Sequence, residues 1–300
     1  MSTLREIRQR IRSIKNIAQV TKAMETVSAS KMRRAQLMTL GTRPYTDRSQ
    51  EVLAHLVARL SPRQRREQPL LCRRPVQTLE VALITSDRGL CGGYNHNVID
   101  VAVDFVSQQT VPVRLVTVGR KGREHANRFG LNIVADFSDL GDRPTSDDVR
   151  PLARLLLDDF EAGVTDQVWL VYTDFVTTLV QRPKVQVLLP VESARERTRP
   201  AHVPYLFEPE PEVILGPMLR RFIELQVYRA VLEALASEHS ARMVAMRNAT
   251  DNALRLIDDL TLGYNKARQE AITKEIIDIV GGVAALSHAR PAGARRPLSP

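Results

Sequence analysis

A cluster of glycines after an apolar run is the first feature of this 300-residue chain that could do chemistry. The segment SDRGLCGGYN (86–95) follows the strand-like VALIT (81–85), an arrangement that often cradles phosphate. A phosphate loop needs GxxxxGK[ST], whose backbone N–H groups, lysine and hydroxyl hold the phosphates and Mg²⁺. No GK[ST] triplet occurs anywhere in the sequence. The dinucleotide fingerprint GxGxxG fails too, because Gly89, Gly92 and Gly93 are wrongly spaced and GRKG (119–122) is no closer. The glycines read instead as a tight strand-to-helix turn that allows positive φ or close backbone approach. Its Asp87–Arg88 pair could face a partner protein. Cys91 would be a nucleophile only with a histidine–acid pair aimed at it, and His96 is near in sequence. The six histidines show no ligand spacing, and neither HExxH nor GxSxG occurs. The neighbouring carboxylates Asp147–Asp148 and Asp258–Asp259 would diverge on a helix and read as solvated. These residues describe a mechanical or interaction subunit, not a catalyst, with no cofactor implied.

The elements that must position that turn follow from periodicity. VALIT (81–85), VRLVTV (113–118), NIVADF (132–137), VWLVY (168–172) and KVQVLLP (184–190) are short runs rich in Val, Leu and Ile. Helical patterns near 95–109, 121–129 and 147–162 lie between the first four. Such alternation predicts a mostly parallel sheet with crossover helices. On either side the pattern is different. Residues 1–40 hold neither Gly nor Pro, and Leu4, Ile7, Ile11, Ile14, Ile17, Val20, Met24 and Val27 recur every three or four positions. This predicts a narrow helical seam about 60 Å long, broken at GTRPY (41–45) and resumed through Val52, Leu53, Leu56, Val57 and Leu60. Near the other end, Met246, Ala249, Ala253, Ile257, Leu260, Tyr264, Ala267 and Ala271 form a second stripe, continued by Ile272, Ile276, Ile279, Val283 and Leu286. Its small residues let a partner helix approach closely. The predicted fold is α/β, a long antiparallel coiled coil of N- and C-terminal helices with an inserted Rossmann-like domain. The expected parts are 1–60 (N-terminal helix), 76–210 (α/β domain), 211–287 (C-terminal helix) and 288–300 (a disordered Pro-, Ala- and Arg-rich tail).

Composition narrows the class further. Two cysteines, Cys72 and Cys91, exclude a disulfide scaffold and a Cys-rich zinc site, and suit a reducing compartment. The charged N-terminus is not a secretory signal, and no apolar run reaches the ~18–20 residues of a membrane span. The net charge of +9 is uneven: residues 1–75 carry +12, residues 76–216 carry −6 and residues 217–300 carry +3. A basic helical segment suits nucleic acid, an anionic membrane surface or an acidic protein partner. Tyr45 is the only aromatic residue before position 76, which argues against single-strand stacking.

Four blocks then carry a resemblance: IRSIKNIAQVTKAMETVSASKMRRAQ (11–36), SDRGLCGGYN (86–95), YLFEP (205–209) and SEHSARMVAMRNATDNALRLIDDLTLGYNKARQEAITKEIIDIVGG (237–282). In this order, over about residues 1–287, the sequence resembles the gamma subunit of F-type ATP synthases. The resemblance implies a non-catalytic rotor shaft inside a ring of alpha and beta subunits. Its foot would meet the epsilon subunit and the membrane ring of c subunits. Ion flow would turn shaft and ring, while ATP, ADP and Mg²⁺ bind other chains. It further implies no nucleic-acid partner, no direct membrane insertion, and a peripheral place on the cytoplasmic side of the bacterial inner membrane. A basic coiled-coil nucleic-acid binder is the alternative.

The resemblance also assigns residues. Arg268, Gln269 and Thr273 match positions where the shaft meets a beta-subunit loop. Arg242 matches a position linked to coupling through an acidic beta-subunit loop, near Lys22 and Met24 on the facing helix, and Met24 reads equally as seam packing. Tyr205 and Glu208 match the foot that touches the c ring and epsilon, and Asp87 and Arg88 match the turn at the base of the shaft. Gly263 stands where a bulky apolar residue is usual, which implies a locally thinner shaft. The tail past Leu286 extends beyond the usual end and is expected to tune ring contact or inhibition.

Overall fold

In a computed structural model, which describes residues 4–191, 208 and 210–288, five strands form one sheet. They are β1 (Leu79–Ile84), β2 (Val113–Val118), β3 (Ile133–Phe137), β4 (Gln167–Phe175) and β5 (Gln181–Leu189), in the order β3-β2-β1-β4-β5. The first four strands pair parallel, and β5 returns antiparallel along β4 as a hairpin. The helices are α1 (Leu4–Arg59), α2 (Pro62–Glu67), α3 (Tyr94–Ser107), α4 (Arg120–Arg128), α5 (Ser146–Glu161) and α6 (Pro211–His288). The expected alternation is therefore present, with α3, α4 and α5 as crossovers.

Successive strand side chains point to opposite faces, so the sheet has two cores. Val81, Leu83, Leu115 and Val171 meet Val98, Ile99 and Ala102 of α3 and Ala126 of α4. On the other face Ala82, Ile84, Val116, Val118 and Leu170 meet Leu152, Leu156 and Phe160 of α5. The same core takes in Leu53, Leu56 and Val57 of α1, and Leu215, Leu219, Ile223 and Val227 of α6. Strand order reverses between β1 and β4, with the crossovers after β1 and β3 on opposite faces. That reversal is where doubly wound sheets form a crevice.

The described residues form two compact units, one within residues 23–247 and the other from residues before 23 and after 247. In the smaller unit the start of α1 runs antiparallel to the later part of α6. Arg8 lies over the Tyr264 ring, 5.4 Å from its centroid, and the Thr21 and Thr250 hydroxyls are 2.7 Å apart. Ala18, Thr250 and Ala253 are buried there, flanked by half-buried Ile7, Ile11, Ile14, Ile257, Leu260 and Tyr264. In the larger unit α1 and α6 also meet antiparallel, with Arg247 Nε donating to Glu25 Oε1 at 3.1 Å.

The α6 stripe as far as Ala271 matches the expected contact, but the α1 stripe departs from it. Ile17 is 54%, Val20 58% and Val27 54% exposed. The reason is rotational. At about 100° per residue, nine residues from Ile11 to Val20 turn the helix two and a half times and place Val20 on the opposite side. The buried line of α1 instead passes through Ala18, Glu25, Ser28, Ala35, Thr39 and Thr46, small or polar residues that let α6 come close. Beyond Ala271, Ile272, Ile276, Ile279 and Val283 are exposed, so the expected continuation of the seam does not bury them. Leu286's side chain and the tail 289–300 lie outside the described residues. Gly263 is exposed, and a Cβ added there meets nothing within 4 Å.

The break expected at GTRPY is not there, because α1 continues through Pro44. Proline inside a helix costs ~3 kcal/mol or more. Each of Leu53, Leu56, Val57 and Leu60, buried in the sheet core, returns about 1.5–3 kcal/mol, which outweighs that cost. The hydroxyls of Thr39, Thr42 and Thr46 donate back to the carbonyls of Ala35, Thr39 and Thr42 and hold the last turns before and around the proline.

Two positions in the sheet unit yield tests. Gly119, at the end of β2, has φ +93°, and an added Cβ would stand 2.3 Å from the Thr85 carbonyl oxygen. Gly119→Ala is expected to destabilise the chain by at least about 1–3 kcal/mol, measured by urea unfolding. Glu80 on β1 is fully buried beside Arg114, which pairs with Asp159 at 2.6 Å. Burial, with help from Asp159 and against Arg114, raises its pKa to about 8. A raised pKa contributes stability that is complete below about 4.5 and lost as pH rises toward 8. Glu80→Gln is therefore expected to gain stability over the parent chain between pH 5 and pH 8.5, read from paired urea midpoints.

Candidate functional site

The turn after β1 is held from inside. The Ser86 hydroxyl donates to the Arg88 carbonyl at 2.7 Å and accepts from Asn95 Nδ2 at 2.7 Å. The Ser86 N–H donates to Asn95 Oδ1 at 3.1 Å. These bonds support Leu90 and Gly92 at positive φ, 63° and 58°. Asp87 extends the block sideways: its carboxylate accepts from the Arg120 N–H at 3.0 Å and the Asp139 N–H at 3.2 Å. The turn, the start of α4 and the loop after β3 are thus tied together through one carboxylate.

Against this block stands one stretch of α6. Arg242, 8% exposed, donates from Nη2 to the carbonyls of Arg88 (3.1 Å) and Gly89 (3.2 Å), and from Nε to Gly89 (3.3 Å). Its Nη1 pairs with Glu238 one turn earlier at 2.6 Å. A buried guanidinium must have such partners, since an unpaired charge there is costly. Burial pushes the Glu238 carboxyl up, and Arg242 opposes the rise. His239 is buried between Arg242 Nη1, 3.4 Å from its Nδ1, and Asp142 Oδ1, 3.6 Å from its Nε2. Asp142, in the loop after β3, also takes Lys31 of α1 at 2.6 Å. Two serines complete the line, Ser237 donating to the Thr173 carbonyl at 3.2 Å and Ser240 to the Thr178 carbonyl at 2.6 Å. The crevice at the strand reversal is filled by the chain's own helix.

The structure places the residues singled out from sequence as follows. Arg242 is directed at the turn, and it is Arg247 that meets α1, at Glu25. Met24 is half-buried and Lys22 exposed on α1. Arg268, Gln269 and Thr273 are exposed on α6, the latter two lining a shallow groove with Lys266, Glu270, Lys274 and Ile277. Asp87 is half-buried in the block just described, and the side chain of Arg88 is exposed. Glu208 is exposed, and Tyr205 lies outside the described residues. Cys91 is buried against Asn95 Nδ2 (3.2 Å), its thiol pushed up by burial, while His96 pairs with Asp100 in solvent. Asp148, expected to be merely solvated, caps α5 reciprocally with Thr145. Among the described residues no group of three or more His, Cys, Asp or Glu could hold a metal, and no helix is long and apolar enough to cross a membrane.

Sequence reasoning missed Lys31, Asp142, Glu238 and His239. Glu238 and Arg242 stand four apart, a helical pairing interval that was legible. Lys31 and Asp142 are brought together only by tertiary structure.

Residues 3–286 match the family model described as ATP synthase. The chain is 50% identical over 287 residues to the ATP synthase gamma chain of Dehalococcoides mccartyi strain 195, covering 96% of this chain and 100% of that one. The chain belongs to the gamma-chain family of ATP synthases. The gamma chain of Chloroflexus aurantiacus is 49% identical with the same coverage. Among solved structures, the chain resembles one in the central stalk and c-ring of Tetrahymena thermophila mitochondrial ATP synthase. There the TM-score is 0.59 at 27% identity, covering 77% of this chain and 99% of that one. A chain of the Euglena gracilis mitochondrial enzyme shares the fold over 99% of this chain and 98% of its own, with a TM-score of 0.68 at 20% identity. The nucleic-acid reading of the basic segment finds no support in these likenesses.

The cluster has a pH signature. Burial, then Arg242, lowers the His239 pKa to about 4, against Asp142. A lowered pKa contributes stability that is full above the ordinary value near 6.5 and lost as pH falls toward 4. His239→Gln is expected to lose less stability between pH 7 and pH 4.5 than the parent chain, measured by urea unfolding at both values.

Proposed function

We propose that this chain is the central shaft of a rotary ATP synthase, coupling ion flow through a membrane ring of c subunits to catalysis on beta subunits. The observation that carries this reading is identity of about half the residues to gamma chains over their entire length. The structure supplies a matching mechanical part: α1 and α6 run antiparallel and are cross-linked by side chains in each unit. A shaft does work only if each angle biases the three beta sites differently, because a contact shifts an equilibrium by its differential free energy alone. Exposed ion pairs worth about 0–1 kcal/mol each can break and reform as it turns. The basic N-terminal quarter suits acidic loops of the surrounding ring.

In this reading Arg268, Gln269 and Thr273, exposed on α6, face a beta-subunit loop, with Lys22 and Met24 contributing from α1. Arg242 takes part in coupling through an acidic beta-subunit loop, Asp87 and Arg88 belong to the turn at the base of the shaft, and Tyr205 and Glu208 to the foot beside epsilon and the c ring. The parts are an N-terminal shaft helix (1–60), a foot domain (76–210), a C-terminal shaft helix (211–287) and a tail (288–300). The complex sits on the cytoplasmic side of the bacterial inner membrane, with this chain in its peripheral part.

Affinity purification of the tagged chain from detergent-solubilised membranes tests the reading. Alpha, beta, epsilon and c subunits are expected in the eluate, with ATP hydrolysis that drives ion uptake into reconstituted vesicles. Recovery of the chain alone, or with nucleic acid and no ATPase, would overturn it.

A further inference from the structure

Two loops at one edge of the sheet bond to one short stretch of α6, and a third comes up against it. The turn after β1 bonds through the carbonyls of Arg88 and Gly89, which accept from Arg242. The end of β4 and the hairpin beyond it bond through the carbonyls of Thr173 and Thr178, which accept from Ser237 and Ser240. The loop after β3 only comes near α6, Asp142 Oδ1 standing 3.6 Å from His239 Nε2 without a hydrogen bond. Asp142 is bound instead to α1, through Lys31 at 2.6 Å.

We propose that Arg242, Asp142 and Lys31 are positioning residues that lock the sheet to the two long helices against rotation, so that torque passes between them without slip. This rests on the shaft reading above. The physical ground is a difference between kinds of contact. Apolar packing between the sheet and α1 or α6 resists separation, but it is non-directional and resists sliding weakly. Hydrogen bonds have preferred angles and weaken steeply when misaligned. A guanidinium held by two carbonyls and one carboxylate has its plane fixed, and it fixes the turn in return. Asp87, tied to Arg120 and Asp139, spreads that hold to the loop carrying Asp142. The second pin acts from the other helix and on another loop: Arg242 holds the turn after β1 to α6, and Lys31 holds the loop after β3 to α1. Attachment through two loops to two helices opposes rotation where one attachment would act as a pivot.

The two pins differ in strength. Arg242 and Glu238 are almost wholly screened from water, whereas the side chains of Lys31 and Asp142 are 29% and 50% exposed. An exposed pair adds little stability. Reversing the charge of Asp142 therefore leaves folding largely intact but turns attraction to Lys31 into repulsion, close to the exposed Arg88.

The test uses the assembled complex in sealed inverted vesicles, reading ion uptake (proton or sodium) per ATP hydrolysed. Asp142→Lys is expected to lower that ratio about threefold or more with hydrolysis retained, since like charges in contact oppose docking. The double variant Asp142→Lys with Lys31→Asp restores the pair and is expected to recover the ratio. Arg242→Lys, which keeps the charge beside Glu238 but loses the planar fork, is expected to lower the ratio as well. A ratio unchanged in Asp142→Lys, in complexes of normal subunit content, would overturn the proposal. So would uptake and hydrolysis falling together with no rescue by the swap, which marks a purely structural role. If instead the parent chain is absent from any ATP-hydrolysing complex, the shaft reading itself is at fault.

Discussion

A buried guanidinium cannot lose its proton and has no acceptor of its own, so its surroundings must be built to receive it. At Arg242 that requirement organises the middle of the molecule. Glu238 supplies the counter-charge from the same helix, and two backbone carbonyls supply the remaining acceptors. Those carbonyls point at α6 only because the turn after β1 adopts a strained path, with Leu90 at positive φ. A non-glycine residue in that region costs ~1–3 kcal/mol and persists where its surroundings over-determine it. Ser86 and Asn95 brace the turn from one side and Arg242 from the other.

The same arrangement explains a nucleotide-binding topology without a nucleotide motif. In doubly wound sheets the crevice beyond the strand ends takes the ligand. Here Ser237, Ser240 and Arg242 of α6 occupy the corresponding positions and satisfy carbonyls from the β1 turn, β4 and the hairpin beyond it. A fold familiar from cofactor binding has become a seat for a helix.

The helix pairs follow a different rule. Where α1 meets α6 the buried residues are mostly alanine, serine and threonine, and the larger aliphatics Ile17, Val20 and Val27 face outward. Small side chains allow close backbone approach and leave few gaps, so dispersion contacts replace bulk. Threonine hydroxyls paired across the contact, Thr21 with Thr250, remain satisfied without water. Apolar side chains left outside on α1 and on α6 beyond Ala271 are then available to other chains, as a shaft surrounded by a ring requires.

Much of this was legible in the residues alone. Val-, Leu- and Ile-rich runs alternating with helical patterns pointed to the parallel sheet, because strands buried on both faces are mostly apolar. Long stretches free of glycine and proline gave the two long helices, and the absence of any GK[ST] removed the phosphate loop. Motifs such as SDRGLCGGYN and YNKARQ carried the family, because they join uncommon residue types at fixed intervals. What the pattern could not give was rotational phase. A stripe of isoleucines spaced by threes drifts round the helix, and only packing decides which side is buried. Nor could it show that α1 crosses Pro44 unbroken, since that depends on core packing made further along. The sequence by itself determined the element types and their order, which are local properties of spacing and propensity. Only the tertiary structure decided that Lys31, Asp142, His239 and Arg242 form one cluster, because charges so far apart in the chain are selected by where the fold brings them and not by any interval between them.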